Sequence, residues 1–181
     1  ETISMARSVD EKVTIYLWVE NGAQDDQIAE FLSRFSALNA NISVKYIDPA
    51  YSPNFISKYT DEEATQNSLV VESDKRAKYV DYGEIYTYNY TQEEFYNYYY
   101  TYGTYPSPNQ FSAENAVVNA LDYVISEKIP VAYMLSGHGE TDFTDTLQGY
   151  VTNANIELMS LNLLSLDAVP LDADCIVINK P

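Results

Sequence analysis

Apolar positions come in short runs between polar breaks, and their spacing changes character along the chain. Residues 13–19 (VTIYLWV) form a continuous apolar run rich in β-branched and aromatic side chains, which predicts a buried strand. Beyond Asp25-Asp26, the residues Ile28, Phe31, Leu32, Phe35 and Leu38 recur at helical spacing. The acidic pair suits the positive end of that helix's dipole. Residues 39–41 end the helix, and residues 42–47 alternate as a second strand. Asp48-Pro49 closes the strand, because proline has no N–H for the ladder.

A short helix or turn is expected over 53–59. Strands over 68–72 and 77–80 follow, joined by the polar turn 73–76, with a further short strand over 84–88. The order βαβαββ predicts a thioredoxin-like α/β unit. In the redox form of that unit a Cys-x-x-Cys pair opens the first helix. Here Asn21-Gly22-Ala23-Gln24 stands in that region, so dithiol chemistry is excluded.

Residues 79–105 depart from this regular pattern and hold 11 of the 18 tyrosines, including Tyr98-Tyr99-Tyr100. Thr91-Gln92-Glu93-Glu94 has the form of a capping box opening a short helix. The segment reads either as a tyrosine-rich connection packed partly on the domain, or as an aromatic surface for sugar or protein contact. Pro106 and Pro108 then mark a boundary, dividing the chain into units 1–105 and 106–181. In the second unit a helix runs from a Ser112 cap to about Glu127, with Val117, Val118, Leu121, Val124 and Ile125 as its apolar face. A strand over 131–135, a glycine loop, a helix over 142–153 and strands over 156–161 and 175–178 complete it. This alternation implies a parallel, helix-covered sheet. Because the sequence stops just after a predicted strand, the second unit is expected to be part of a larger one.

Composition narrows the function classes. The net charge is −17, with −5 over residues 1–78 and −12 over residues 79–181. Such a field repels phosphate backbones and anionic lipid, so nucleic acid is excluded as a natural partner, while a cationic partner is allowed. No stretch approaches the roughly 20 apolar residues of a membrane span. Cys175 is the only cysteine, which excludes an intrachain disulfide and a cysteine-only metal site. Lying in an apolar strand, it reads as a small buried hydrophobe rather than a nucleophile.

The candidate chemistry lies in Ser136-Gly137-His138-Gly139-Glu140, which holds the only histidine and directly follows the predicted strand 131–135. Ligands gather at the carboxyl ends of strands in open α/β sheets. His138 with Glu140, and Asp142 nearby, could serve acid–base chemistry or metal ligation. With one histidine, the common histidine-rich zinc sets cannot be built. The G-x-S-x-G pattern of a nucleophile elbow is also absent around Ser136. Three readings stand: catalysis, binding of a ligand or partner without chemistry, and structure alone. In the structural reading the glycines supply unusual φ angles and Glu140 caps the following helix. No cofactor is implied.

Several segments in order carry a family resemblance. They are Tyr46-Ile47-Asp48-Pro49, the stretch 52–59 (SPNFISKY), 67–72 (NSLVVE), the helix ending Tyr123-Val124, the loop 137–140 (GHGE), Leu161-Asn162-Leu163 and 169–174 (VPLDAD). Together they resemble the GldG-type family, the gliding-motility auxiliary proteins of ABC transport systems, over nearly the whole chain from about Val13. The resemblance implies a non-catalytic extracytoplasmic domain of a bacterial membrane protein, anchored through helices outside this chain, with ABC permease and ATPase subunits as partners. It also implies a second unit similar to the flavodoxin-like, glutamine-amidotransferase-like fold. The amidotransferase cysteine has no counterpart, since Cys175 lies in a different strand. The alternatives are a hydrolase or amidotransferase-like enzyme using His138 and Glu140, and a carbohydrate-binding module using the tyrosine segment.

Overall fold

The computed structural model describes residues 2–137, 139–162, 164 and 168–180. The chain divides into two compact units, Glu1–Ile125 and Ser126–Pro181.

In the first unit the strand order follows from where apolar runs need cover on both faces. Strand β1 (Val13–Trp18) lies inside the sheet and pairs in parallel with β2 (Ile42–Ile47) through the register Val13 to Ile42 and Trp18 to Ile47. On its other side it pairs antiparallel with β3 (Ser68–Glu72), which pairs antiparallel with β4 (Ala77–Val80). The sheet order is β2-β1-β3-β4. With helix α2 (Asp26–Ser36) between β1 and β2, this is a thioredoxin-like arrangement.

Alternate residues of β1 face opposite sides. Val13, Ile15 and Leu17 are buried with Ile28, Leu32 and Phe35 of α2, while Trp18 packs on the other side with Ile56, Val70, Phe55 and Tyr59. The 3-10 turn Ile56–Lys58 thus supplies the second cover, where the pattern over 53–59 predicts a short helix or turn.

Two helices complete the first face. Helix α1 (Thr2–Ser8) has no apolar periodicity of its own and buries Ala6. It is tied down from outside: Asn39 Nδ2 donates to the carbonyls of Ala6 at 3.0 Å and Val9 at 2.8 Å, and Asn41 Nδ2 to that of Val9 at 3.0 Å.

Beyond β4, residues Tyr82–Ile85 form a short helix α3 and only Tyr86–Thr87 form strand β5, where the sequence suggested a strand over 84–88. Asp81 and Glu84 form a capping box, which turns the start of that segment into a helix. Helix α4 (Gln92–Tyr102) begins at the expected Thr91–Glu94 capping box. Strand β6 (Gln110–Phe111) then pairs with β5 and brings the chain back.

Helix α5 (Ala113–Ile125) follows. Sequence reasoning placed it in the second unit, with the boundary at 105/106. It instead buries Val117, Ala120, Leu121 and Val124 in the first unit's core, packing against β3 and β4, so the units part at 125/126. The prolines mark the return of an excursion, and the apolar face of α5 decides which sheet it joins. Ser112 precedes its first turn, its carbonyl accepting the Ala116 N–H at 3.1 Å and its hydroxyl lying 2.9 Å from that of Thr87.

The second unit is a three-stranded parallel sheet ordered β8-β7-β9, from β7 (Val131–Ser136), β8 (Glu157–Asn162) and β9 (Cys175–Val177), with α6 (Asp145–Asn153) between β7 and β8. That order is the first part of the flavodoxin-like sequence 2-1-3-4-5. Val131, Tyr133 and Leu161 form its buried centre. Cys175, expected to be buried, is exposed, as is Ile176 beside it in β9.

Two outcomes test this architecture. Leu121 is fully buried at the centre of the α5 contact. Leu121→Ala is expected to cost about 2–5 kcal/mol in denaturant unfolding of the first unit, whereas a cost near zero would detach α5 from that core. The Tyr59 phenol donates to Glu72 Oε1 at 3.2 Å, and burial together with the Glu72 charge pushes it up to about 12. A tyrosine raised in the folded state contributes stability that is full below its unfolded value of 10.0 and lost as pH climbs through about 12. Stability measured across that alkaline window is expected to fall less steeply in Tyr59→Phe than in the parent chain, and equal slopes would contradict the assignment.

Candidate functional site

Strand β7 is the middle strand of its sheet. The chain leaves it through α6 to β8 on one side and later returns as β9 on the other. The carboxyl end of β7 is therefore a topological switch point, the place where open α/β sheets present ligands. The loop nominated from the sequence begins there.

Ser136 is the last residue of β7, and its hydroxyl donates to the Leu161 carbonyl at 3.4 Å, so it is engaged with β8. Gly137 has φ +109 and Gly139 φ +104, a region that side-chain-bearing residues rarely adopt. At Gly137 a Cβ would also lie 3.0 Å from Asn162 Oδ1, whereas at Gly139 there is open space. His138 lies outside the described residues, so its pairing with Glu140 does too.

Glu140 is half-buried and Asp142 exposed. The expected cap role does not fall to Glu140: α6 starts at Asp145 rather than near Asp142, and Thr144 Oγ1 accepts the Leu147 N–H at 3.3 Å. A threonine adjoining the first turn reaches that amide directly. Past Glu140 the loop is fastened to the segment after β9. The Thr141 N–H donates to the Asn179 carbonyl at 3.0 Å, and Asn179 Nδ2 donates to the Thr141 carbonyl at 2.8 Å.

A second strand-end site lies in the first unit, and the sequence reading did not nominate it. The carboxyl ends of β1 and β2 lie side by side, and a cleft of about 430 Å³ opens beside the start of α2. Glu20, Asp26 and Asp48 bring carboxylates to it, and Tyr46 and Tyr51 bring ring faces that are 54% and 86% exposed. Asn21 and Gln24, from the stretch that replaces a redox pair, also line it. Asp48 shapes the floor by accepting the N–H groups of Asn21 at 3.1 Å and Ala50 at 2.8 Å.

The first amides of α2 are already taken. Asp25 Oδ1 accepts the N–H of Gln27 and of Ile28, each at 3.0 Å, and the Tyr86 hydroxyl at 2.9 Å. Burial and the Asp25 carboxylate push the Tyr86 phenol well above its ordinary range. An anion therefore finds the helix terminus satisfied, and the cleft offers acceptors and aromatic faces instead. The signals for it were Asp25-Asp26 after one strand and Asp48-Pro49 after the next, which the parallel pairing brings together.

Among the described residues no group of three or more histidine, cysteine, aspartate or glutamate side chains is placed to hold a metal ion. No helix among them is long and apolar enough to cross a membrane.

No family model and no curated protein matches the chain. Among solved structures, the NTD_N/C domain of alkylhydroperoxide reductase AhpF from Enterococcus faecalis (V583) is similar, with a TM-score of 0.43 and 15% identity over 90% of this chain and 77% of that one.

Gly137→Ala combines an unfavourable backbone region with the Asn162 contact, and Gly139→Ala has only the first. Backbone strain of this kind costs about 1–3 kcal/mol. Denaturant melts of the second unit are expected to show a larger loss for Gly137→Ala than for Gly139→Ala, and the reverse order would contradict the close approach to Asn162.

Proposed function

We propose that the protein is a non-catalytic binding domain, an extracytoplasmic auxiliary component of an ABC-type transport system that engages a partner subunit or a polar substrate. The observation that carries the binding reading is the cleft at the ends of β1 and β2, where exposed tyrosine faces and carboxylates surround the turn 21–24. Clefts with aromatic walls and a few placed polar groups are suited to recognition. The sequence puts no cysteine at that turn, so the fold's dithiol chemistry is not available to it. The transport assignment rests on the ordered GldG-type segments, of which Tyr46 and Asp48 line the cleft.

The test is purification of the full-length protein expressed with the ATPase and permease genes beside its own. The expected result is one complex containing all three, retained in His138→Ala and weakened about tenfold by Tyr51→Ala, as for loss of an exposed aromatic anchor. A full-length protein that purifies free of both subunits would contradict the transport assignment. Loss of function in His138→Ala with folding and assembly intact would instead favour catalysis at the 136–140 loop.

A further inference from the structure

The tyrosine-rich stretch is carried on an excursion with a closed neck. Tyr86 pairs with Phe111 and Thr87 with Gln110, and Asn109 adds two bonds to the Asn89 backbone, accepting its N–H at 2.6 Å and donating Nδ2 to its carbonyl at 3.1 Å. Helix α4 lies beyond this neck and buries none of its residues. Phe95 and Tyr99 close against Tyr105 at centroid distances of 5.7 and 5.0 Å. That leaves two pairs one turn apart, Tyr96 with Tyr100 at 6.4 Å and Tyr98 with Tyr102 at 4.7 Å. Tyr100 is 79% exposed and Tyr102 67%.

The electrostatics of this surface have one sign. The sequence contains no lysine, arginine or histidine between Lys78 and Lys128, and α4 carries Glu93 and Glu94 in its first turn. The Thr91 N–H and hydroxyl hold Glu94 below the usual carboxylate range. The last turn has no basic residue to offset the negative end of the helix dipole. Ring faces add further negative potential. Elsewhere in the chain tyrosine faces do take cations: Lys45 lies 5.6 Å over Tyr16, and Arg76 and Lys78 lie 5.8 and 5.4 Å from Tyr123.

We propose that the outward face of α4 docks a basic segment of a partner polypeptide, whose lysine or arginine side chains lie over the Tyr96–Tyr100 pair, which shares its side of the helix with Glu93. Charge complementarity selects this occupant. Nucleic acid and acidic lipid are repelled, and a second copy brings the same carboxylates on a chain of net charge −17. A neutral glycan would stack on the rings and could donate hydroxyls to Glu93, but it carries no charge for the negative potential of this surface to attract.

The probe is a synthetic peptide of repeated Arg-Gly-Lys, titrated calorimetrically into the full chain. A glutamate-substituted peptide of equal length and a neutral glucan hexasaccharide are the comparators. The basic peptide is expected to bind, more weakly as salt is raised. Tyr96→Ala with Tyr100→Ala is expected to weaken binding about tenfold, while Tyr96→Phe with Tyr100→Phe keeps the ring faces and the affinity. Circular dichroism checks that α4 persists in each variant. Tyr51→Ala in the β1–β2 cleft is expected to leave this binding unchanged, which separates failure here from failure of the proposed function. No binding at low salt, equal binding by the alanine variant, or binding of the glucan in place of the peptide would overturn the proposal.

Discussion

Asn67 holds the turn between β1 and α2, and most of the first unit's geometry depends on that hold. Its N–H donates to the Trp18 carbonyl at 2.8 Å, its Oδ1 accepts the Asp25 N–H at 2.8 Å, and its Nδ2 donates to the Ala23 carbonyl at 3.3 Å. The backbone bends to φ +66 to do so, a conformation asparagine tolerates better than most residues. Asp25, fixed in this way, can cap α2 and receive the Tyr86 hydroxyl. A buried amide left without a partner there costs about 1–3 kcal/mol, so the turn, the helix start and β5 have to agree with one another.

That agreement explains why the first unit offers a cleft rather than a reactive group. The turn that would carry a nucleophile is occupied by residues whose task is to be held, and Asp48 fastens its beginning through the Asn21 N–H. What remains open to solvent is the surroundings: carboxylates and the rings of Tyr46 and Tyr51. The same division recurs on α4. There Phe95 and Tyr99 close against Tyr105, while Tyr100 and Tyr102 are largely exposed.

Local pattern made much of this legible. Residues 13–18, 42–47 and 68–72 declared themselves as strands because each must be covered, and Thr91-x-x-Glu94 announced α4. The paired glycines after β7 likewise announced the positive φ angles found at Gly137 and Gly139. Non-local decisions were not legible. Helix α1 is held by burial of Ala6 and Met5 against the core and by the bonds of Asn39 and Asn41 at its end, none of which residues 2–8 alone announce. The placement of α5 turned on which sheet its apolar face would meet, and the prolines at 106 and 108 read as a boundary before it. Cys175 has the neighbours of a buried residue in sequence, yet it is exposed in β9. The β1–β2 cleft needed the parallel register to bring Asp26 and Asp48 to one place.

The central claim is that the chain builds this cleft before anything binds, through the hold of Asn67 and Asp25 on the β1–α2 turn. Native-state hydrogen exchange at the amides of Asp25, Gln27 and Ile28 tests it most directly. Protection in the unliganded chain approaching that of the β1 amides, and lost at all three in Asn67→Ala while β1 stays protected, is the predicted result. Fast exchange at those amides in the parent chain, or protection unchanged by Asn67→Ala, would contradict it.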